Sequence, residues 1–205
     1  MHTEILNEEQ LNLLPFVQTF KSKFYLVGGT AIALQIGHRE SIDFDLFTEK
    51  NFSTTLIHKK ISSNFKQFKL LHKSDDQVHY IINGVKITFF QYPYKIIPSV
   101  KFDKVILLPD LLTLSAMKAF ALGRRAKWKD YVDLYFLLKN YFSLSEISEK
   151  AKYLFEDEFS IKLFRQQISY FEDIDYREDV VFKKGFEVSE EEVKDFLVEI
   201  ATREF

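Results

Sequence analysis

Phe24-Tyr25-Leu26-Val27-Gly28-Gly29-Thr30-Ala31, followed at short range by Arg39-Glu40-Ser41-Ile42-Asp43-Phe44-Asp45, is the stretch whose reading decides the fold. The apolar run up to Val27 has the length and composition of a buried strand, and it breaks into two glycines. A helix of about two turns is expected over 30–36, ended by Gly37 as a C-cap. Residues 42–47 then alternate between apolar side chains and Asp43 and Asp45, so both carboxylates share one face of a strand. Two aspartates so placed can hold one or two hard divalent cations through oxygen ligands, as phosphoryl and nucleotidyl transfer require. Taken alone, such a pair also suits a solvent-facing strand edge. The glycines upstream favour the chemical reading: backbone amides of Gly28 and Gly29 can approach phosphate oxygens without a Cβ in the way, the helix N-terminus adds favourable partial charge, and Thr30 can supply a hydroxyl. Arg39 and Ser41 place a guanidinium and a hydroxyl just before the acidic strand, where Arg39 could clamp a phosphate with both arms of its fork. His38 reads as a surface residue of the connecting loop.

Outward from this stretch, Asn7 with Gln10 forms a capping box that opens an amphipathic helix through Leu11, Leu14 and Val17. A helix is expected near 52–65. Residues 78–82 and 85–90 flank Asn83-Gly84, a strong short-range hairpin signal. Pro109-Asp110 starts a helix running to about residue 124, and a second begins near Trp128 and continues to about residue 141. From Ser143 onward the pattern is helical and acidic; Ser189 with Glu192 reads as a second capping box before Val193, Phe196, Leu197 and Ile200. The expected fold class is α/β (α+β): a core with a small mixed sheet over 1–108, then a helical region over 109–205 packed on it as one compact unit.

Two further residues stand out because their neighbours are apolar. Lys118 is the only charged residue in 111–123, and Asp133 is a lone carboxylate in the run 132–138, with Asp130 on the same helix face. Lys118 can be read as a snorkelling side chain at the core margin or as an ammonium aimed at a triphosphate. A Lys118–Asp133 ion pair would serve structure alone, or would orient the lysine in a site. Between these helices, Arg124, Arg125, Lys127 and Lys129 form a basic cluster, a candidate contact for a phosphate or RNA backbone, with Asp130 beside it. Trp128 could stack on a base, though a core role is the more ordinary one.

The bulk numbers bound the answer. With 205 residues, 46% hydrophobic and 28% charged, the chain can bury a sizeable core, and the absence of cysteine removes disulfides, thiolate metal sites and thiol nucleophiles. A cytoplasmic location is the expectation: Met1-His2-Thr3-Glu4 lacks a basic stretch followed by an apolar one, and no apolar run approaches the ~20 residues of a membrane span. The net charge of −2 conceals +6 over residues 1–140 and −8 over 141–205, a basic front that suits a phosphate-rich ligand and an acidic back that suits solvated helices.

These motifs, in this order, resemble the nucleotidyl transferase AbiEii/AbiGii toxin family of the DNA polymerase β-like superfamily. The residues that carry the resemblance are Gly28-Gly29-Thr30-Ala31, Arg39-Glu40-Ser41-Ile42-Asp43-Phe44-Asp45, Ala116-Met117-Lys118 and Lys129-Asp130-Tyr131-Val132-Asp133-Leu134, spanning roughly 24–138. The resemblance implies a polymerase β-like core that transfers a nucleoside monophosphate from an NTP on Mg²⁺ or Mn²⁺. It places Ser41, Asp43 and Asp45 at the metal and triphosphate, Lys118 on phosphate and Asp133 in the catalytic set. It also implies a toxin of a toxin-antitoxin or phage-defence system with a separate antitoxin protein, and in the related MenT toxins the acceptor is the 3′ end of tRNA. One departure stands out: many polymerase β-like transferases carry a third metal carboxylate on a later strand, whereas Val85-Lys86-Ile87-Thr88-Phe89-Phe90 has none. Thr88 cannot act as a general base, so either Asp133 takes that role or the chain binds NTP without efficient transfer. An antibiotic-type transferase acting on a small molecule, or a non-catalytic NTP-binding interaction protein, are the rival expectations.

Overall fold

The computed structural model describes residues 1–203. The chain divides into two units, one comprising Met1–Ile36 and Glu40–Asp110, the other comprising Gly37–Arg39 and the chain from Leu111 onward. No helix among the described residues is long and apolar enough to cross a membrane.

In the first unit, helix α1 (Glu8–Gln18) starts with the expected capping box: Asn7 Oδ1 accepts from Gln10 N at 2.8 Å, and Gln10 Oε1 accepts from Asn7 N at 3.1 Å. Its buried face is Gln10, Leu13, Phe16 and Val17, and Leu11 is exposed. The face is therefore turned from the Leu11–Leu14–Val17 stripe that periodicity suggests. Phe16 decides this by packing edge-on against Phe20, which in turn packs on Phe89 at 4.8 Å. Strand β1 (Tyr25–Val27) runs into α2 (Gly28–Ile36) with no intervening loop. Strand β2 (Asp43–Thr48) is followed by α3 (Thr54–Asn64), β3 (Phe68–Lys73), β4 (Gln77–Ile82) and β5 (Val85–Gln91).

These strands form one sheet of order β1-β2-β5-β4-β3, in which β2 and β5 are parallel and every other pair is antiparallel. The β4–β5 hairpin turns on Asn83 and Gly84, both with positive φ (50° and 81°), the backbone that a two-residue I′ turn needs. Phe44, Leu46, Val78, Tyr80, Ile82, Ile87 and Phe89 fill the core face. Directly paired residues point to the same side, so the opposite face carries Asp43 and Asp45 on β2, Lys86 and Thr88 on β5, and Gln77 and His79 on β4. Strand β3 escapes sequence reading because a register shift between Leu70 and His72 breaks its alternation. That bulge is what returns His72 to the side of His79. A two-stranded ribbon, β6 (Val100–Phe102) with β7 (Ile106–Leu108), closes the unit.

The second unit contains α4 (Leu111–Leu122), α5 (Trp128–Asn140), α6 (Leu144–Phe155), α7 (Ile161–Ile168) and α8 (Glu190–Thr202). Helices α4 and α6 pack through stacked Phe120 and Phe155 rings, 3.9 Å apart, and α5 meets α8 through Tyr135 and Phe196. Ser143 and Glu146 complete a capping box on α6. The box expected on α8 is only half made: Ser189 Oγ accepts from Glu192 N, but the Glu192 carboxylate accepts hydrogen bonds from the Tyr135 hydroxyl at 2.5 Å and Lys139 Nζ at 2.8 Å. Tertiary partners outcompete the local one. Between α7 and α8 an irregular segment holds the detached tripeptide, since Lys183 N donates to His38 O at 3.0 Å and Arg39 bridges to Phe182.

Candidate active site

Within the first unit the site grows from β1, α2 and β2. Gly28 has φ +75°, a conformation that costs an L side chain energy, and a Cβ built on it would run into the Asp45 carboxylate. Val27 pairs directly with Asp45 across the β1–β2 ladder. The glycine thus does two things: it turns the chain from strand to helix, and it leaves the volume that Asp45 occupies. The Thr30 hydroxyl, expected to face phosphate, is committed inside the unit: it donates to the Asp43 backbone carbonyl and lies 2.8 Å from Ser41 Oγ. Gln10, fully buried, donates through Nε2 to the Ser41 carbonyl at 2.7 Å, tying the α1 cap to the entry of β2. These bonds hold the backbone that aims Asp43 and Asp45. Both aspartates are half-buried on the same face, and the amides of Gly28 and Gly29 open α2 beside them.

Among the described residues no group of three or more His, Cys, Asp or Glu is gathered as a metal cage. The donor set is two hard carboxylates, which fits a divalent ion that completes its shell with substrate phosphates and water, the usual habit of Mg²⁺.

Within the second unit a network of buried charges joins α4, α5 and the tripeptide. The Asp133 carboxylate, fully buried, accepts from four donors: His38 Nε2 (2.7 Å) and Arg39 Nε (2.7 Å) on Oδ1, Arg39 Nη2 (2.8 Å) and Lys118 Nζ (2.9 Å) on Oδ2. Lys118 Nζ also donates to Asp130 Oδ1 at 2.6 Å, and Arg125 Nε donates to Asp130 Oδ2 at 2.9 Å. Burial works against every one of these charges and the partners outweigh it. Asp133 is held well below the usual carboxylate range and Asp130 below it, while Lys118 and Arg39 are raised. His38 goes the other way: burial lowers its pKa, with Asp133 only partly opposing. Its Nε2 donates to Asp133 and its buried Nδ1 has no partner, so the ring is neutral.

The Lys118–Asp133 ion pair that sequence spacing allows is therefore present, with Asp130 as a second partner. The Arg39 fork, expected on a phosphate, lies on the Asp133 carboxylate. His38 is fully buried, against the expectation of a surface loop residue; adjacency to Arg39 is the only sequence signal that could have found it. Of the basic cluster, Arg124 pairs with Glu158 and lies over the Phe120 ring, Arg125 pairs with Asp130, and Lys127 and Lys129 both pair with Glu178. Any phosphate backbone would compete with these carboxylates. Trp128 stacks with Tyr131 and Tyr176.

A mixed sheet whose D-x-D strand lies beside a helix opened by Gly-Gly defines the class, the nucleotidyltransferases. In fold the chain is similar to MenT4, a nucleotidyltransferase toxin from Mycobacterium tuberculosis H37Rv (TM-score 0.60, 10% identity, 94% of this chain and 81% of that one). It is likewise similar to JHP933 from Helicobacter pylori (TM-score 0.54, 18% identity, 96% and 91%). In sequence it is 35% identical over 179 residues to an uncharacterized protein of Aquifex aeolicus (strain VF5), covering 84% of each. Residues 16–202 match the nucleotidyl transferase AbiEii toxin family of type IV toxin-antitoxin systems, and the chain belongs to that family. It is an enzyme of the nucleotidyltransferase class, for which an NTP is the substrate and a divalent metal the general requirement.

Proposed function

We propose that this protein joins a nucleoside monophosphate from an NTP to an acceptor hydroxyl with release of pyrophosphate, acting as a cytoplasmic toxin on the 3′ end of tRNA and restrained by a separate antitoxin. The observation that carries the reading is the Asp43–Asp45 pair on the open face of β2, with Gly28 shaped around Asp45. Asp43 and Asp45 hold Mg²⁺ (or Mn²⁺), which neutralises charge that builds on the phosphates during in-line displacement. Gly28 and Gly29 offer backbone amides to the triphosphate. Thr30 and Ser41 bind phosphate at most through what their mutual bond leaves free, and chiefly fix the entry of β2. Lys118 is a phosphate ligand and Asp133 its positioning residue, with Arg39 and His38 fixing Asp133 in turn. Lys118 Nζ is oriented by Asp130 and Asp133 together.

The test is transfer of label from α-labelled NTPs to total tRNA with Mg²⁺ present. Asp45→Ala is expected to abolish incorporation while the melting temperature stays near wild type. Wild-type incorporation by that variant would refute the assignment. A protein that binds NTP and transfers nothing, the reading that Thr88 in place of a third carboxylate favours, would give NTP binding in the same samples without labelled acceptor.

A further inference from the structure

Thr88 stands where a third carboxylate could take the proton of the acceptor hydroxyl, and both oxygens of the Asp133 carboxylate are committed to His38, Arg39 and Lys118. The sheet register shows what lies beyond it. Asp45 on β2 pairs with Thr88 on β5, Thr88 pairs with His79 on β4, and His79 pairs with His72 on β3, so the four side chains form one row across the open face. Strands in a sheet lie about 4.8 Å apart, so His79 stands roughly 10 Å from Asp45 at the backbone. Its imidazole reaches further from the backbone than an aspartate carboxyl would.

In-line displacement fixes which flank this row serves. Gly28 and the start of α2 lie against Asp45 on its β1 side, where Val27 pairs with it. If the triphosphate is cradled there, pyrophosphate leaves toward β1 and the attacking hydroxyl arrives from the opposite side, over β5 and β4. We infer that His79 is the general base of the transfer, and that the acceptor's terminal hydroxyl approaches across Thr88; this rests on the nucleotidyl-transfer reading above. The hydroxyl oxygen bonds to the α-phosphorus, the bond from that phosphorus to the pyrophosphate oxygen breaks, and the hydroxyl proton passes to His79.

The ring is set up for this. Nε2 lies 3.0 Å from the Gln77 side-chain oxygen; with Nε2 donating in that bond, the Nδ1 lone pair is left for the incoming proton. The charged and titratable groups on the same face are Lys86 on β5, His72 and Lys69 on β3, Asp43 and Asp45 on β2, and Tyr25 on β1. Burial, then Lys86, then His72 lower the His79 pKa against a smaller opposing effect of Asp45, so the ring is neutral at neutral pH and free to accept.

The experiment compares wild type, His79→Gln, His79→Asn, Thr88→Asp and the double variant His79→Gln with Thr88→Asp. It reads label transfer to total tRNA from pH 5 to 8.5, NTP affinity by calorimetry, and the histidine ring signals by NMR titration. Either single His79 variant is expected to lose about 10²–10⁴-fold in kcat with NTP affinity unchanged, and to lose the acidic limb of the wild-type profile. Adding Thr88→Asp is expected to restore part of the rate, because a carboxylate then stands beside Asp45. The ring signal missing from His79→Gln is expected to titrate below the ordinary histidine range. A His79 variant that keeps the wild-type rate and acidic limb would overturn the inference and leave the nucleotidyl-transfer reading standing. Weakened NTP binding with the limb intact would overturn it too, making His79 a nucleotide contact. If wild type labels neither tRNA nor any other component of a cell extract, the transfer reading itself falls, and this inference with it.

Discussion

Gly28 joins conformation to chemistry in a single residue. Its φ of +75° would cost an alanine about 1–2 kcal/mol, and the added Cβ would displace the Asp45 carboxylate, which can rotate away because it is the free end of a side chain. Gly28→Ala is therefore expected to lower the melting temperature only modestly while reducing turnover on the order of 100-fold, since a misplacement of about 1 Å at a reacting group costs that much. A variant with wild-type turnover would show that the carboxylate does not need that position. Gln10 acts at the same scale. Wholly buried, it closes the α1 cap and holds the Ser41 carbonyl, so Gln10→Ala is expected to cost about 1–3 kcal/mol in denaturant unfolding, well above an exposed cap residue.

At the level of elements, the periodic ones were legible and the irregular ones were not. Strand β2 could be read because apolar and acidic residues alternate from Ile42 to Leu46, and the β4–β5 hairpin because Asn-Gly is specific for a turn with two positive φ values. Strand β3 was hidden by its bulge, and β6 and β7 by being three residues each without a break such as the Gly28-Gly29 that marks the equally short β1. Apolar spacing gives α1 two competing stripes, and the packing of Phe16 and Phe20 selects between them. The α8 cap shows the same limit: sequence pairs Ser189 with Glu192, but the distant Tyr135 and Lys139 claim the carboxylate.

For the molecule as a whole, the second unit depends on a charge network that is nearly dry. Asp133 satisfies three cationic or ring partners at once, so Asp133→Ala would strand Lys118 and Arg39 together and is expected to destabilise the protein by about 3–5 kcal/mol. Loss of activity in that variant or at Lys118 must be read beside its melting curve. The pH dependence follows from the directions of the shifts. His38 is lowered, so the unfolded chain binds its proton first and stability begins to fall as pH drops below about 6.5. Asp130 and Asp133 are depressed, so their contribution is complete above about pH 4 and is lost as pH falls further, through their folded-state values. Thermal melts between pH 8 and pH 3 should show a shallow decline followed by a steep one, and His38→Gln should remove part of the shallow phase. The sequence by itself determined the acidic strand, the glycine break before it, the isolated Lys118 and Asp133, and through their order the family, because each is local in the chain or fixed by a short period. Only the tertiary structure decided that Arg39 grips Asp133, that His38 is buried, that Thr30 is committed to Ser41 and Asp43, and that His79 lies in the row of Asp45. Those facts depend on which strands and helices become neighbours, and strand register and helix packing are settled by contacts far apart in the chain.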